Sequence, residues 1–361
     1  MRKVKVELGK KSYSVFIGTN LLSRLGEQCA RLKFSNRCAI ISDKNVAALY
    51  GKEAVRSLRS VGFDPALITV AAGEPAKSLE TVRICYDQLA AHRLERTSVV
   101  VALGGGVVGD LAGFVAATYL RGIGFVQVPT TLLAQVDSSV GGKVGVNLPV
   151  GKNLVGAFYQ PRLVLCDPGT LNTLPDREFR AGLAEVIKYG IIYDAKLFNG
   201  MERDLKKILQ REPQLLASII ARCCEIKAEV VSQDETESGL RAILNFGHTI
   251  GHAIEAISGY GQYLHGEAIS IGQVAAAKLS AKMVGLPEAE VKRIAELFSA
   301  AGLPTKIKLS KASRKNLFRA MQLDKKVSGG EIKFILAKKI GEVLFGQSVP
   351  PALIAQTLSD F

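Results

Sequence analysis

Three of the chain's four histidines fall within eighteen residues, at His248, His252 and His265. His248 and His252 stand four residues apart, so on a helix their imidazoles share one face and could bind one divalent metal ion. His265 follows a loop containing glycine and tyrosine and is predicted to open the next helix. Spacing alone favours His248 and His252 as the metal pair, with His265 next. In the alternative interpretation, the histidines cap helices or satisfy polar groups of the core.

A carboxylate is the expected third ligand of such an ion. Glu185 is the best candidate because it lies in Gly182-Leu-Ala-Glu-Val-Ile-Lys-Tyr189, a predicted helix that is otherwise mostly apolar. An unpaired charge in such a helix would be costly. The alternative interpretation pairs Glu185 with Lys188, one turn later.

A glycine-rich turn, Gly104-Gly-Gly-Val-Val-Gly109-Asp110, follows an apolar run that ends at Leu103. This arrangement fits G-x-G-x-x-G between a strand and a helix, where backbone N–H groups can approach a pyrophosphate. The turn follows the third apolar strand rather than the first, and no acid follows the fourth strand to hold a ribose. We therefore predict a variant nucleotide site, with Asp43 at an earlier strand end as the ribose candidate. A tight strand–helix turn without a ligand is the alternative.

Two lysines also lie in glycine-rich turns, since Lys143 follows Gly141-Gly142 and Lys152 follows Gly151. An isolated lysine is usually solvated, but lysines in such turns favour contact with a phosphate or carboxylate. Together, the three kinds of residue predict an enzyme that acts on an anionic, polyhydroxy small molecule.

The elements that must position these residues are of two kinds. Up to about residue 170, short apolar runs alternate with helical segments, which is typical of a parallel sheet covered by helices on both faces. The fold class predicted for this part is doubly wound α/β. The predicted strands are a hairpin over 4–8 and 13–17, followed by 38–42, 66–70, 98–103, 124–128 and 163–166.

Helical periodicity dominates the second half. It starts at Thr173-Leu-Pro-Asp176, which fits a capping box, and includes an apolar stripe over 215–230 and a helix between Pro287 and Gly302. A small hairpin is predicted over 331–345. We place the domain boundary at about residue 175, with a Rossmann-like α/β domain over 1–175 and a mainly α-helical domain over 176–361.

Composition restricts the class of protein further. The chain has 361 residues, of which 48% are hydrophobic and 22% charged, which excludes intrinsic disorder. The net charge is +14, and much of the excess lies in residues 305–340, which carry eleven Lys/Arg against two acids. This segment contains no nucleic-acid motif, so a solvated basic face is favoured over an anion-binding cluster. None of the six cysteines forms a C-x-x-C pair, and neither a signal peptide nor a membrane span is evident. These features predict a soluble, cytoplasmic protein with reduced thiols.

Seven stretches, in order along nearly the whole chain, resemble those of 3-dehydroquinate synthases. They are Gly104–Asp110, Val128–Thr131, Gln135–Lys143, Gly182–Gly190, Leu240–Ala253, Leu264–Ala268 and Asp324–Lys326. The resemblance implies an NAD- and metal-dependent lyase of the shikimate pathway, with zinc or cobalt as the metal. Such an enzyme converts 3-deoxy-D-arabino-heptulosonate 7-phosphate into 3-dehydroquinate and phosphate, by transient oxidation at C5, phosphate elimination, re-reduction, ring opening and aldol closure. It also implies an active site in a cleft between the domains and a homodimer that binds neither nucleic acid nor membrane.

The resemblance also implies roles for individual residues. The metal ligands are Glu185, His248 and His265, which replaces the choice made from spacing and leaves His252 facing the substrate. The implied catalytic and substrate residues are Arg121, Asp137, Lys143, Lys152, Asn153, Lys188, Lys227, Arg241, Asn245, His252 and one of Lys325 and Lys326. The implied cofactor-binding residues are Asp43, Gly73, Glu74, Lys77, Gly106, Val107, Val108, Gly109, Asp110, Thr130, Thr131, Lys143, Lys152, Thr170, Leu171, Asn172 and Thr173. Arg121 matches an arginine that the family supplies across a dimer interface.

Three other activities stay open. Related sugar-phosphate cyclases act on sedoheptulose 7-phosphate or glucose 6-phosphate, but Asn245 and His252 match the dehydroquinate pattern. A metal-dependent polyol dehydrogenase would share the fold and would release NADH. A nucleic-acid binder, suggested by the charge alone, is the least favoured.

Overall fold

The computed structural model describes residues 1–259, 262–323, 327–328 and 331–359. The chain divides into two compact units, the first formed by Met1–Leu174 and Pro213–Thr236, the second by Pro175–Glu212 and Glu237–Phe361. The first boundary coincides with the predicted one near residue 175. The segment 213–236, however, belongs to the first unit and not to the helical domain predicted over 176–361. Periodicity predicts that this segment is helical, but it does not predict which neighbour the apolar stripe covers.

Strands and helices are numbered separately in chain order. The strands are β1 Arg2–Val6, β2 Tyr13–Ile17, β3 Arg37–Asp43, β4 Asp64–Val70, β5 Val99–Gly104, β6 Gly124–Pro129, β7 Lys143–Leu148, β8 Gly151–Phe158, β9 Leu163–Cys166, β10 Val327–Ser328, β11 Glu331–Lys339 and β12 Glu342–Ser348. The helices are α1 Leu25–Ala30, α2 Lys44–Val46, α3 Lys52–Arg59, α4 Leu79–Ala91, α5 Gly106–Thr118, α6 Asp176–Ile192, α7 Ala195–Leu209, α8 Pro213–Gln233, α9 His248–Ile257, α10 His265–Val284, α11 Glu288–Ala300, α12 Lys311–Leu323 and α13 Pro351–Ser359.

The first unit is built on a seven-stranded sheet with the order β1-β2-β9-β6-β5-β3-β4. All neighbouring pairs are parallel except the β1–β2 hairpin. Every residue of β5 is buried, with Val100 and Ala102 in one core and Val99, Val101 and Leu103 in the other. Strands that are apolar on both faces require cover on both faces. The doubly wound α/β class predicted for this part is confirmed.

Helices supply that cover from both sides of the sheet. Helices α4 and α5 pack into the core that contains Val100, whereas α1 and α3 pack into the core that contains Val101. Helix α8 lies against β1 and β2. The order in which the strands are added reverses between β3 and β5. Strand β4 continues on one side of β3, whereas β6 and β9 continue on the other side of β5. Such a switch point is where open α/β sheets bind their ligands.

The predicted strands of this sheet are confirmed to within two residues at their ends. One hairpin was not predicted. Strands β7 and β8 pair with each other, outside the main sheet, over a stretch that the sequence suggests is glycine-rich turns. Gly145 and Gly156 face each other where the two backbones approach closely: a Cβ on Gly156 would lie 2.3 Å from the carbonyl oxygen of Val144. Gly145 and Gly156 are therefore required by strand pairing, whereas the predicted turn glycines Gly141 and Gly142 have positive φ values and precede β7.

The second unit combines α6, α7 and α9–α13 with a small antiparallel sheet, β10-β11-β12. Its core is formed by α9, α10, α12, α13 and the inner face of β11. The predicted hairpin is confirmed, with its turn at Gly341. The predicted capping box is wrong: Pro175 occupies the N-cap of α6 without a side-chain cap, and Thr173 bonds Tyr50 instead. Among the helices of the described residues, none combines the length and apolar character needed to cross a bilayer.

Candidate metal and nucleotide sites

Three helices of the second unit bring Glu185, His248 and His265 together. Glu185 lies within α6, while His248 and His265 are the first residues of α9 and α10. The Nε2 atoms of both histidines lie 3.5 Å from the same carboxylate oxygen, Glu185 Oε1. In a tetrahedral zinc site with bonds of about 2.0–2.1 Å, two ligand atoms are separated by about 3.3–3.5 Å. The cluster therefore fits a divalent ion such as zinc.

Close helix packing makes this convergence possible. A Cβ on Gly272 of α10 would lie 2.1 Å from the carbonyl oxygen of Gly247, immediately before α9, so only glycine fits at this contact. Gln273, the next residue of α10, donates to the carbonyl oxygen of Ala184 in α6 at 3.1 Å. Helix α10 is thus tied to both of the other elements that carry a candidate ligand.

Hydrogen bonds at the second ring nitrogen orient both imidazoles. His248 Nδ1 lies 3.1 Å from the carbonyl oxygen of Phe246, and His265 Nδ1 lies 3.1 Å from Glu255 Oε2. A carbonyl and a carboxylate are acceptors only, so Nδ1 carries the hydrogen in both rings. In the neutral imidazoles, Nε2 is then the atom with a free lone pair, and it faces Glu185.

The charges of the cluster are deeply buried. Glu185 is fully buried, and its other oxygen, Oε2, contacts the ammonium of Lys188, which is 1% exposed. The Glu185–Lys188 pair and the group formed by Glu185 and the two histidines were alternatives in the sequence analysis, and the structure contains both. Burial by itself lowers the pKa of His265, but hydrogen bonds to Glu185 and Glu255 outweigh it and raise the pKa to about 10. The same two carboxylates that attract a proton here would attract a divalent cation.

His252 stands beside this cluster. Its ring centroid lies 5.2 Å from that of His248 and 5.9 Å from that of His265. A second group of potential ligands consists of His252, Glu255 and His265. The set with Glu185 uses Nε2 of His265, whereas Glu255 faces Nδ1 of the same ring.

The other predicted residues of the second unit are also placed by the fold. Arg241 is 2% exposed on a 3₁₀ turn, Leu240–Asn245, that precedes α9. Asn245 Nδ2, at the end of that turn, donates to Glu237 Oε1 at 2.6 Å. Lys325 and Lys326 lie outside the described residues.

The predicted nucleotide site of the first unit lies at the switch point of the sheet. Strand β5 ends at Gly104 and α5 begins two residues later, with Gly105 at its N-cap. Asp43 ends the neighbouring strand, β3, so the ribose candidate and the glycine turn share the carboxyl edge of the sheet. A Cβ on Gly109 would lie 2.8 Å from Gln127 Oε1 of β6, which explains why the last glycine of the motif packs the helix onto the sheet.

The remaining cofactor candidates border the same edge of the sheet. Within the described residues, no hydrogen-bond partner reaches the buried Thr130 Oγ1, just past β6. The buried Gln135 donates to the carbonyl oxygens of Pro129 and Asp167 and to Thr170 Oγ1, at 3.0–3.1 Å. It thereby ties the loop after β6 to the predicted cofactor segment over Thr170, Leu171, Asn172 and Thr173. An orphan hydroxyl beside a glycine turn at a helix N-terminus fits a dinucleotide.

A polar network joins the predicted cofactor loop to the β7–β8 hairpin. Lys77 is 4% exposed and donates to Asp110 Oδ2 at 2.7 Å and to Asn153 Oδ1 at 2.5 Å. Burial raises the pKa of Asp110, and Lys77 opposes that rise. Asn147 completes the network: its Nδ2 donates to Glu74 Oε1 at 2.8 Å, and its Oδ1 accepts from Asn153 N at 2.9 Å.

The other predicted substrate residues of the first unit differ in exposure. Lys227, on α8, is 6% exposed and donates to the carbonyl oxygen of Asp137 at 2.7 Å and to its Oδ1 at 2.8 Å. Lys143 and Arg121 are exposed, and Lys152 is half-buried. Asp137 and Lys227 are far apart in sequence, so only the fold brings this pair together.

Known families match the chain over most of its length. The family model described as 3-dehydroquinate synthase N-terminal matches residues 67–181, and the one described as 3-dehydroquinate synthase C-terminal matches residues 182–327. A curated 3-dehydroquinate synthase from Desulforamulus reducens is 48% identical over 359 residues, which cover 99% of this chain and 100% of that protein. The chain belongs to the 3-dehydroquinate synthase family.

Solved structures with the same fold are less similar in sequence. A 2-epi-5-epi-valiolone synthase from Streptomyces hygroscopicus, with NAD+ and Zn2+ bound, has a TM-score of 0.89 at 30% identity and covers 98% of each chain. A 2-deoxy-scyllo-inosose synthase complexed with carbaglucose-6-phosphate, NAD+ and Co2+ has a TM-score of 0.90 at 30% identity, covering 99% of this chain and 100% of that one. The two-part fold predicted from the resemblance to 3-dehydroquinate synthases is confirmed.

Two residues that contact the candidate sites of this member of the 3-dehydroquinate synthase family were not identified from the sequence. Glu255 follows His248 and His252 at a spacing of i, i+4, i+7, which places all three on one face of a helix, so the signal was present. Asn147 has no such signal, because its partners Glu74 and Asn153 meet it only through the fold.

Proposed function

We propose that this chain catalyses the 3-dehydroquinate synthase reaction, converting 3-deoxy-D-arabino-heptulosonate 7-phosphate into 3-dehydroquinate and phosphate with NAD and Zn2+ or Co2+. The observation that carries the proposal is the cluster of Glu185, His248 and His265, found in a chain that aligns from end to end with a curated 3-dehydroquinate synthase. When bound, NAD supplies a reversible hydride acceptor for C5 and the ion supplies a Lewis acid that polarises the C5 oxygen.

In this proposal, the second unit holds the metal ion. Glu185 Oε1 and the Nε2 atoms of His248 and His265 are its ligands, and their spacing of 3.5 Å supports a common ion. Lys188 holds the second oxygen of Glu185, so that only one oxygen is presented to the ion. His252 lies next to both imidazoles, and in this proposal it contacts the substrate.

The first unit binds the dinucleotide. Backbone N–H groups at the start of α5 would hold the pyrophosphate, and Asp43 at the neighbouring strand end would accept from a ribose hydroxyl. The buried Thr130 hydroxyl, which needs a partner, gives a further polar contact.

Positive charge is required for the leaving phosphate. The substrate is a phosphate ester, and its departure is favoured by cations that stabilise the charge that develops on the leaving oxygen. Lys143 and Lys152, on the two strands of the β7–β8 hairpin, are suited to this role in the first unit. Lys227, also an implied substrate residue, donates two hydrogen bonds to Asp137.

Two chains associate in the same proposal, and Arg121 reaches the substrate bound to its partner. Leu120 and Arg121 have φ values of 50° and 69°, a left-handed conformation that is rare for two consecutive residues other than glycine. Strained backbone of this kind is retained mainly where function requires it.

The location proposed is the cytoplasm, and the partner a small anionic substrate rather than a nucleic acid or a membrane. All six cysteines are buried, which supports a reducing compartment.

The test is phosphate release from the heptulosonate phosphate with substoichiometric NAD. We expect many turnovers per NAD without accumulation of NADH, because the hydride is returned in each cycle. No phosphate release, or NADH formed in proportion to product, would refute the proposal. NADH accumulation from a polyol would indicate a dehydrogenase.

The related cyclase activities are tested in the same assay. The two structural neighbours are cyclases of this kind and are 30% identical to the chain, against 48% for the 3-dehydroquinate synthase from D. reducens. We therefore expect turnover of the heptulosonate phosphate to exceed that of sedoheptulose 7-phosphate and glucose 6-phosphate. Preference for either of the latter would replace the proposed substrate.

A further inference from the structure

We propose that Glu255 is a positioning residue of the metal centre, whose carboxylate accepts the Nδ1 hydrogen of His265 and so presents Nε2 to the ion. This inference rests on the proposed function, in which His265 is a metal ligand.

The two ring nitrogens of His265 have different partners. Glu255 Oε2 lies 3.1 Å from Nδ1, while Glu185 Oε1 lies 3.5 Å from Nε2. The first distance is that of a hydrogen bond, and the second allows Nε2 and Glu185 either to share a proton or to bind one ion together. A neutral imidazole has one N–H, so an acceptor at Nδ1 leaves the lone pair of Nε2 for the metal.

His248 shows the same arrangement with a different acceptor. Its Nδ1 faces the carbonyl oxygen of Phe246, and its Nε2 faces Glu185. Both candidate ligands are therefore held in the same tautomer, one by the backbone and one by Glu255. Metal-binding histidines generally bond a carboxylate or backbone carbonyl through the second ring nitrogen, which fixes the ring and raises its basicity.

The environment of Glu255 disfavours a carboxylate anion. Its side chain is only 11% exposed, and burying a carboxylate costs free energy unless it is paired. It also lies in the last turn of α9, which ends at Ile257, where the negative end of the helix dipole repels an anion. The hydrogen bond from His265 offsets part of this cost.

A second role is open to Glu255, because His252, Glu255 and His265 could together bind an ion of their own. That ion would need Nδ1 of His265, the atom that already faces Glu255. The two roles predict different stoichiometries: one ion per chain if Glu255 positions His265, and two if it is a ligand.

The experiment measures Co2+ binding to the full chain in the absence of substrate, by chelator competition and by the visible spectrum of the bound ion. The variants are Glu255→Leu, which removes the acceptor, and Glu255→Gln, which keeps an acceptor oxygen but loses the charge. Glu202→Gln is the matched control, because Glu202 pairs with Arg293 in the same unit and contacts no candidate ligand through that pair. Circular dichroism checks that each variant folds.

We expect Glu255→Leu to weaken Co2+ binding by about 10- to 100-fold and to change the visible spectrum, as is usual when such an outer partner is lost. Glu255→Gln should lose less Co2+ affinity than Glu255→Leu, and Glu202→Gln should bind Co2+ with the affinity of the wild type. In a His265→Ala background, titrated to Co2+ concentrations high enough to fill the weakened site, neither change at Glu255 should weaken Co2+ binding further. If Glu255→Leu does not fold, Glu255→Gln in the two backgrounds supplies the same comparison.

Wild-type affinity and spectrum in Glu255→Leu would overturn the inference, and so would equal losses in both backgrounds. Two ions per wild-type chain, with one lost in Glu255→Leu, would also overturn it. Each of these results is compatible with normal phosphate release, so failure of the inference is separable from failure of the proposed function. A chain that binds one Co2+ as described but releases no phosphate would refute the function alone.

Discussion

Asn147 links two segments of the first unit that are predicted to bind different ligands. One of its side-chain hydrogen bonds goes to Glu74 in the cofactor loop, and the other comes from the backbone of Asn153, next to Lys152. Its backbone N–H also donates to the carbonyl oxygen of Lys77 at 2.8 Å. Replacing Asn147 with alanine keeps the backbone bond and removes the two side-chain bonds.

The magnitude follows from the kind of bond that is lost. A hydrogen bond to a charged group contributes about 1.5–3 kcal/mol and a neutral one about 0.5–1.5 kcal/mol. The sum of about 2–4.5 kcal/mol is an upper bound, because the side chain of Glu74 is 33% exposed and water can replace part of the loss. We expect Asn147→Ala to lower the free energy of unfolding by about 2 kcal/mol, and NAD affinity to fall about tenfold as Glu74 and Asn153 lose their support.

Urea unfolding and NAD titration measure the two effects. Asn147→Asp adds a discriminating variant, because it keeps an acceptor for Asn153 but places a carboxylate against that of Glu74. Its loss of stability should therefore exceed that of the alanine variant at neutral pH and shrink as the carboxylates are protonated in acid. Asn316→Ala, on the exposed side of α12, is the control and should stay within about 0.5 kcal/mol of wild type. Unchanged stability and NAD affinity in Asn147→Ala would refute the reasoning.

Three further outcomes are expected. A strong chelator should abolish phosphate release, and Zn2+ or Co2+ should restore it; full turnover in excess chelator would exclude a role for the metal. His265→Ala should lose bound metal, measured by elemental analysis, whereas His252→Ala should keep the metal and lose activity; equal metal loss would restore the pair chosen from spacing. Burial raises the pKa of Cys29, Cys38 and Cys85 to about 12, so at pH 8 only about one thiol in 10⁴ is ionised. Native protein should therefore react with a disulfide reagent far more slowly than urea-unfolded protein, and rapid native labelling would contradict this burial.

The sheet of the first unit was predictable because its strands are buried on both faces. Runs such as Val99–Leu103 are apolar without alternation, and their flanking glycines and helical segments fix their ends. The same criterion missed β7 and β8, where polar residues and glycines interrupt the pattern. Glycines that allow two strands to approach closely have the same sequence signature as glycines in a turn.

The position of α8 was not predictable for a different reason. An apolar stripe at helical spacing predicts which face is buried, but any apolar surface satisfies it. Lys227 and Cys224 of α8 contact Asp137 and Gln135 of the first unit, although the sequence between them includes two helices of the second unit. Contacts between residues that are separated in sequence by part of the second unit depend on the topology of the fold, so no local sequence pattern predicts them.

The metal cluster shows which part of a site spacing can predict. Spacing places His248 and His252 on one helical face, and this is confirmed, since both lie in α9 with ring centroids 5.2 Å apart. A shared face does not make two ligands, because a metal ion needs lone pairs that converge on one point. That condition depends on which ring nitrogen faces the ion, and in the proposed site Phe246 and Glu255 set it for His248 and His265 by accepting from Nδ1. The ligand set that fits the geometry is therefore selected by the acceptors behind the imidazoles, which a count of residues between histidines cannot reveal.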